Sequence, residues 1–417
     1  MPSTARSKPV HVTLLGDSTI DNRIWVDGLY KNRLFTRLGI GHSTSAQRIH
    51  RYNHGLIKPE LSVVENLHVK LPSQYQIHDG TKDGFTSSNV LSGGNRSKVF
   101  GPNTFSMFPD QFFAPLDEHE ADIRRSDHIV LSVGGNDIRE FLQATLSQRG
   151  EYRQVYIKRA FPEVLSHLKD NYLAIIRQIR ALNPNGRIVM MTQYYPSAEQ
   201  NNYHIYQFMK EVGKALKIGG NPPDPMNVIQ HLIAEIFRGV ISELDVNNVV
   251  IADVTSSLNP FDSKNHTSQI EPSGQGGEKI AKMLHHLVTS PVKAGQVYRF
   301  TPAFFDDQSA DSSVISEAIS IQWNPLHPRV IQEAEQAYHL TNSDPAPTNY
   351  SFILMALAGL AVTAVVITLL WIFVPTIGAI VGTTAVCTVA GYGASRMFAP
   401  ALIEAQQPME PRAICTV

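Results

Sequence analysis

The sequence predicts an α/β fold, a three-layer α/β/α sandwich on a parallel five-stranded sheet, with a C-terminal transmembrane helical hairpin appended. Three observations predict it. Five short apolar, β-branched runs recur between helical stretches, the pattern of a parallel sheet covered on both faces. The first and third runs pass straight into glycine-containing polar turns, the place where open α/β sheets bind ligands. Two long uncharged runs stand near the end of the chain, Ser351–Val374 and Ile377–Ser395.

The first strand runs from Val10 into Gly16-Asp17-Ser18-Thr19. Residues 23–66 show no clean period, apart from a short helical piece at Ala46–Tyr52. Tyr75–His78 is the second strand. It leads through a turn-rich stretch, Asp79 to Thr86, into a helix at Ser87–Leu91. Asp127–Val133 is the third strand, followed at once by Gly134-Gly135-Asn136-Asp137. Apolar spacing from Phe161 to Ile179 predicts two successive helices, stopped by Asn183-Pro184-Asn185-Gly186. Arg187–Thr192 is the fourth strand. A helical stretch over Met226–Leu244 precedes the fifth strand, Val249–Asp253, and a polar loop then opens the helix Glu278–Leu287. Residues 293–349 are rich in Asp, Ser, Pro and Asn, with one helix at Pro328–His339. They read as a linker with little core of its own.

The run Ser351–Val374 holds 24 residues without a charge. At about 1.5 Å per residue it reaches about 36 Å, enough for a hydrocarbon layer of about 30 Å. Pro375-Thr376 breaks it before the second run, where Gly378 and Gly382 offer the small faces that helices in lipid pack with. The resulting boundaries are a catalytic α/β domain over 8–292, the linker over 293–349, the hairpin over 350–400 and a tail over 401–417.

Charge excludes some functions. Lys and Arg number 36 against 37 Asp and Glu, so no electrostatic case for nucleic acid arises. The two cysteines, Cys387 and Cys415, rule out a disulfide scaffold or a cysteine zinc site. No phosphate loop, His-Glu-x-x-His or calcium loop occurs, and no cofactor or metal is expected. The residues before the first strand lack the apolar core of a secretory signal.

Ser18 falls on a tight turn after the first strand, where it is either a nucleophile or a helix cap. Gly16-Asp17-Ser18, then Gly84 in Asp83-Gly84-Phe85-Thr86, then Gly134-Gly135-Asn136-Asp137, each after a strand, resemble the SGNH (GDSL-type) hydrolase family over roughly residues 10–290. Thr19 stands where that family usually has leucine. The resemblance implies a flavodoxin-like sandwich and ester hydrolysis with Ser18 as nucleophile and Asp17 in support. It assigns an oxyanion hole to the Ser18 and Gly84 backbone N–H groups and the Asn136 amide. Losing one such donor typically costs about 10²–10³ in rate.

The fourth block departs from the family. Where Asp-x-x-His is usual, the chain reads Ser268-Gln269-Ile270-Glu271-Pro272-Ser273, so Glu271 stands on the histidine and Ser268 on the aspartate. Three explanations stay open. Glu271 is itself the base, its pKa raised by burial. Alternatively His266, oriented by Asp262, folds back to reach Ser18. In the third case catalysis is impaired and the protein is a pseudoenzyme, a membrane-tethered binding module. The favoured expectation is a membrane-anchored serine esterase acting on a small-molecule or lipid ester, tethered through residues 351–395. With no signal and with Arg396 beside the second span, the catalytic side is expected to be cytosolic. A bacterial protein exported into host membranes is the other setting considered.

Overall fold

The computed structural model describes residues 8–26, 45–53, 60–95, 111–112, 114–198, 203–267, 270–306, 314–320 and 322–342. The chain divides into two units, Met1–Thr341 and Asn342–Val417. The proposed hairpin and the tail lie outside the described residues. Among the described residues no helix is long and apolar enough to cross a membrane.

The first unit is built on one seven-stranded sheet. Its strands are β1 (Val10–Gly16), β2 (Tyr75–Thr81), β3 (His128–Ser132), β4 (Arg187–Met191), β5 (Val249–Ala252), β6 (Gln296–Phe300) and β7 (Val314–Ala318). The order across the sheet is β2-β1-β3-β4-β5-β6-β7. The first six are parallel and β7 pairs antiparallel with β6, from Gln296 opposite Ala318 to Phe300 opposite Val314. The expected five parallel strands are present in the 2-1-3-4-5 order that places a ligand crevice at the β1/β3 switch point. Two further strands correct that count. They come from the stretch read as a linker, so the α/β unit continues past residue 292 to Thr341. The composition concealed β7 because it lies at an edge and is mostly exposed, which leaves polar residues free to occupy it.

Alternation along each central strand makes the two outer layers. Leu15, Ile129, Leu131, Ile188, Met190, Val249 and Ile251 point to one face. Leu14, Val130, Val189, Met191, Val250 and Ala252 point to the other, and both sets are buried, as a doubly covered sheet requires. On the second face lie α1 (Val63–Lys70) and α7 (Gly274–Thr289). On the first pack α2 (Ser87–Ser92), α3 (Gly135–Leu146), α4 (Gly150–Leu182), α5 (Tyr203–Leu216) and α6 (Pro225–Glu243). α4 is one helix of 33 residues with Pro162 inside it, where two helices were expected. α8 (Pro328–Asn342) follows β7.

Candidate active site

The site assembles at the carboxyl ends of β1 to β4. β1 can end where it does because residue 16 is glycine. Its φ is +145°, and a Cβ there would stand 1.9 Å from the Ser132 carbonyl oxygen. The close approach lets the Asp17 N–H donate to that carbonyl at 3.0 Å, and Asp17 Oδ1 accepts the Thr19 N–H at 3.0 Å. Ser18 is thereby fixed at the apex of an Asx-type turn, facing the cavity. Among the described residues that follow the turn, Arg23–Val26 is helical.

After β2, Gly84 adopts φ +85° in a turn closed by the Phe85 N–H donating to the Lys82 carbonyl. Asn136, in the first turn of α3, donates through Nδ2 to the Phe85 carbonyl at 3.0 Å. That bond ties the Gly84 turn to Asn136 and uses one of the amide's two hydrogens. Asp137 anchors the same helix end to α2 through the Ser87 N–H and hydroxyl.

Glu271 reaches Ser18. It lines the same cavity as Ser18, the Ser18 hydroxyl works to lower its pKa, and it is 1 % exposed. The backbone on both sides of it is pinned. Tyr194 donates its hydroxyl to the Ile270 carbonyl, Asn22 Nδ2 donates to the Pro272 carbonyl at 3.1 Å, and the Thr267 N–H donates to the Glu271 carbonyl at 2.9 Å. Behind the loop, a Cβ at Gly276 would stand 2.1 Å from the Asn265 carbonyl oxygen, which accounts for the small residues opening α7. Burial, reinforced by the neighbouring Asp83 carboxylate, raises the Glu271 pKa well above its ordinary value, while Arg139 and the Ser18 hydroxyl oppose the rise. Asp17 is pushed up to about 7, mainly by burial. Asp21 is pushed up to about 7 by burial and the Asp79 and Asp83 carboxylates.

His266 is elsewhere. It is buried, pairs with Pro272 as an isolated bridge, and its Nε2 meets the Tyr195 carbonyl at 3.0 Å. A nitrogen facing a carbonyl carries the hydrogen, so Nε2 is committed to the loop. Asp262 accepts the Lys264 N–H at 3.0 Å and caps a short turn. Among the described residues no histidine lines the cavity at Ser18. The structure therefore brings Ser18, Asp17, Asn136 and Glu271 to one cavity, links Gly84 to it through Phe85, and leaves His266 and Asp262 behind the loop.

That cavity has a volume of about 500 Å³. Asp17, Ser18, Asn136 and Glu271, all buried, line it together with an apolar wall made by Ile138 and Leu142 of α3, Ile205 and Met209 of α5, and Ile233 and Ile236 of α6. Sequence reasoning missed this wall, and it missed Arg139 and Tyr194, which line the same cavity. Arg139 stands three residues after Asn136, a helical spacing that signals a shared face. Tyr194 had no signal beyond its place after a strand. Among the described residues no group of His, Cys, Asp and Glu is arranged to hold a metal ion.

No family model and no curated protein matches the chain. Several solved structures are similar to it at low identity. A lipase from a goat rumen metagenome is 15% identical, over 67% of this chain and 97% of its own, with a TM-score of 0.36. A phospholipase A1 from Streptomyces albidoflavus is 13% identical, over 68% of this chain and 100% of its own, at 0.37. An acetylxylan esterase from Geobacillus stearothermophilus, solved as a catalytic mutant, is 13% identical over 68% and 95%, at 0.33.

Proposed function

We propose that this protein is a serine ester hydrolase in which Glu271 replaces the usual imidazole as general base. The observation that carries the reading is a buried carboxylate, Glu271, that lines one largely apolar cavity together with Ser18 and Asn136. Ionised Glu271 takes the Ser18 proton as Oγ bonds to the ester carbonyl carbon. The oxyanion so formed is held by the Ser18 and Gly84 backbone N–H groups and by the second hydrogen of the Asn136 amide. Collapse breaks the acyl–oxygen bond, and neutral Glu271 gives its proton to the departing alcohol. Water, deprotonated by Glu271 in turn, then releases the acid from Ser18.

The raised proton affinity of Glu271 suits this task, because an ordinary glutamate is too weak a base to draw a proton from a serine hydroxyl near neutral pH. The apolar inner wall favours an ester of an extended acyl chain, and a lipid ester is the substrate class we assign. We further propose that residues 351–395 tether the enzyme to a membrane with the hydrolase unit on the cytosolic side, which would hold it beside such substrates.

The test is turnover of p-nitrophenyl esters of rising chain length by the full chain, comparing wild type with S18A, E271Q and H266A. Loss in both S18A and E271Q with retention in H266A supports the reading. Retention in E271Q removes Glu271 as base. Wild type no faster than S18A, on these esters and on a lysophospholipid, leaves a pocket that binds without hydrolysis.

A further inference from the structure

A cation lines the same cavity as this carboxylate. Arg139 follows Asn136 by three residues on α3, so the two side chains share one helix face, and both line the cavity with Ser18 and Glu271. The charged and polar groups that act on Glu271 come from several elements: Asp17 and Ser18 after β1, Asp83 after β2, Arg139 from α3 and Tyr194 after β4. Tyr194 stays a neutral phenol, its ionisation opposed by burial and by Glu271. Asp83 and Asp17 are the acidic groups, Asp17 holding its proton up to about pH 7, and Arg139 is the cation in this set. Its guanidinium interacts most strongly with Glu271, then with Asp83.

The sign of that charge matches the chemistry. A neutral imidazole becomes a cation when it takes the serine proton, so an anion behind it helps. A carboxylate becomes neutral when it does the same, and it must first be ionised. Burial, then Asp83 and, once it ionises, Asp17 work against ionisation. A fixed positive charge at the same cavity offsets them, leaving a base that is both available and strong.

We propose that Arg139 is a positioning residue of this reaction, the third member of a Ser18–Glu271–Arg139 set whose third charge is inverted relative to the Ser–His–Asp arrangement. The proposal rests on the reading of Glu271 as base. Arg139 keeps its protons throughout. The serine proton passes to Glu271 and from there to the leaving alcohol, so Arg139 forms and breaks no bond.

The test is the pH dependence of kcat/KM from pH 5 to 9 for the full chain in detergent, with p-nitrophenyl butyrate, a neutral ester that offers Arg139 no anion. R139Q should move the acidic limb upward by about one pH unit or more, with KM little changed. R139K, which keeps the charge, should leave the limb near its wild-type position. R139M, which keeps an apolar stem against the cavity wall, gives the same readout if R139Q does not fold. A limb that stays in place in the uncharged variants overturns the proposal. So does a loss confined to KM on an anionic lysophospholipid, which would make Arg139 a substrate contact. An E271Q variant as active as wild type would instead overturn the reading of the base, whatever the Arg139 variants do.

Discussion

Replacing Asp17 by asparagine should flatten part of the dependence of stability on pH. The Asp17 carboxyl is buried and holds its proton up to about pH 7, against an ordinary value of 3.8. The folded state therefore binds a proton that the unfolded chain has already released between those two values. Stability from this group is complete below about pH 4, falls as pH rises, and levels off above about pH 7. Between pH 5 and pH 8 the protein crosses about two pH decades of that window, at about 1.4 kcal/mol each, so Asp17 alone removes about 3 kcal/mol. The asparagine side chain of D17N would keep an oxygen to accept the Thr19 N–H but carries no proton to lose. Thermal midpoints of full-length wild type and D17N at pH 5 and pH 8 measure the difference. At about 2–4 °C per kcal/mol, wild type should lose about 6–12 °C more than D17N between those conditions. Parallel loss in the two proteins would show that Asp17 is ionised in the fold throughout, and the electrostatic account of the mouth would fail with it.

G16A should be among the most damaging single changes, since its Cβ meets the Ser132 carbonyl oxygen at 1.9 Å and φ is +145°; a loss of more than about 3 kcal/mol is expected in a thermal melt. N136A should lower kcat by about 10²–10³ with a small change in KM, read by steady-state kinetics on a short ester. H266Q should lower the melting midpoint without moving the acidic limb of the rate profile, because His266 holds the loop and does not face Ser18. I233W should shift the preferred acyl chain toward shorter esters by filling the inner cavity, seen as a changed ratio of kcat/KM for butyrate over decanoate.

What was legible in the sequence is what lies contiguous in it. The β1 turn, the Gly84 turn and the start of α3 each pack glycine and polar residues directly after an apolar strand, so motif and backbone geometry coincide. The choice between Glu271 and His266 was not legible. They are five residues apart, and which one turns inward is decided by bonds to distant residues, from Tyr194 to Ile270 and from Asn22 to Pro272. No local period carries that information. The seventh strand escaped for a different reason. Val314–Ala318 needs only one side for pairing and leaves most of its residues in solvent, so its polar composition imitates a linker.

The same reasoning explains why the helices α5 and α6 supply so much of the cavity lining while contributing nothing to the motifs. α6 is apolar on most of its surface: Ile229, Leu232, Ile233 and Ile236 are each nearly buried, yet all four also line the cavity. A helix packed wholly against its neighbours would need no such space beside it, because interiors close to crystal-like density. Ser18, Glu271 and these side chains line one space. On the proposed reading the ligand joins an extended apolar chain to a carbonyl that can approach Ser18, and an acyl ester has that shape.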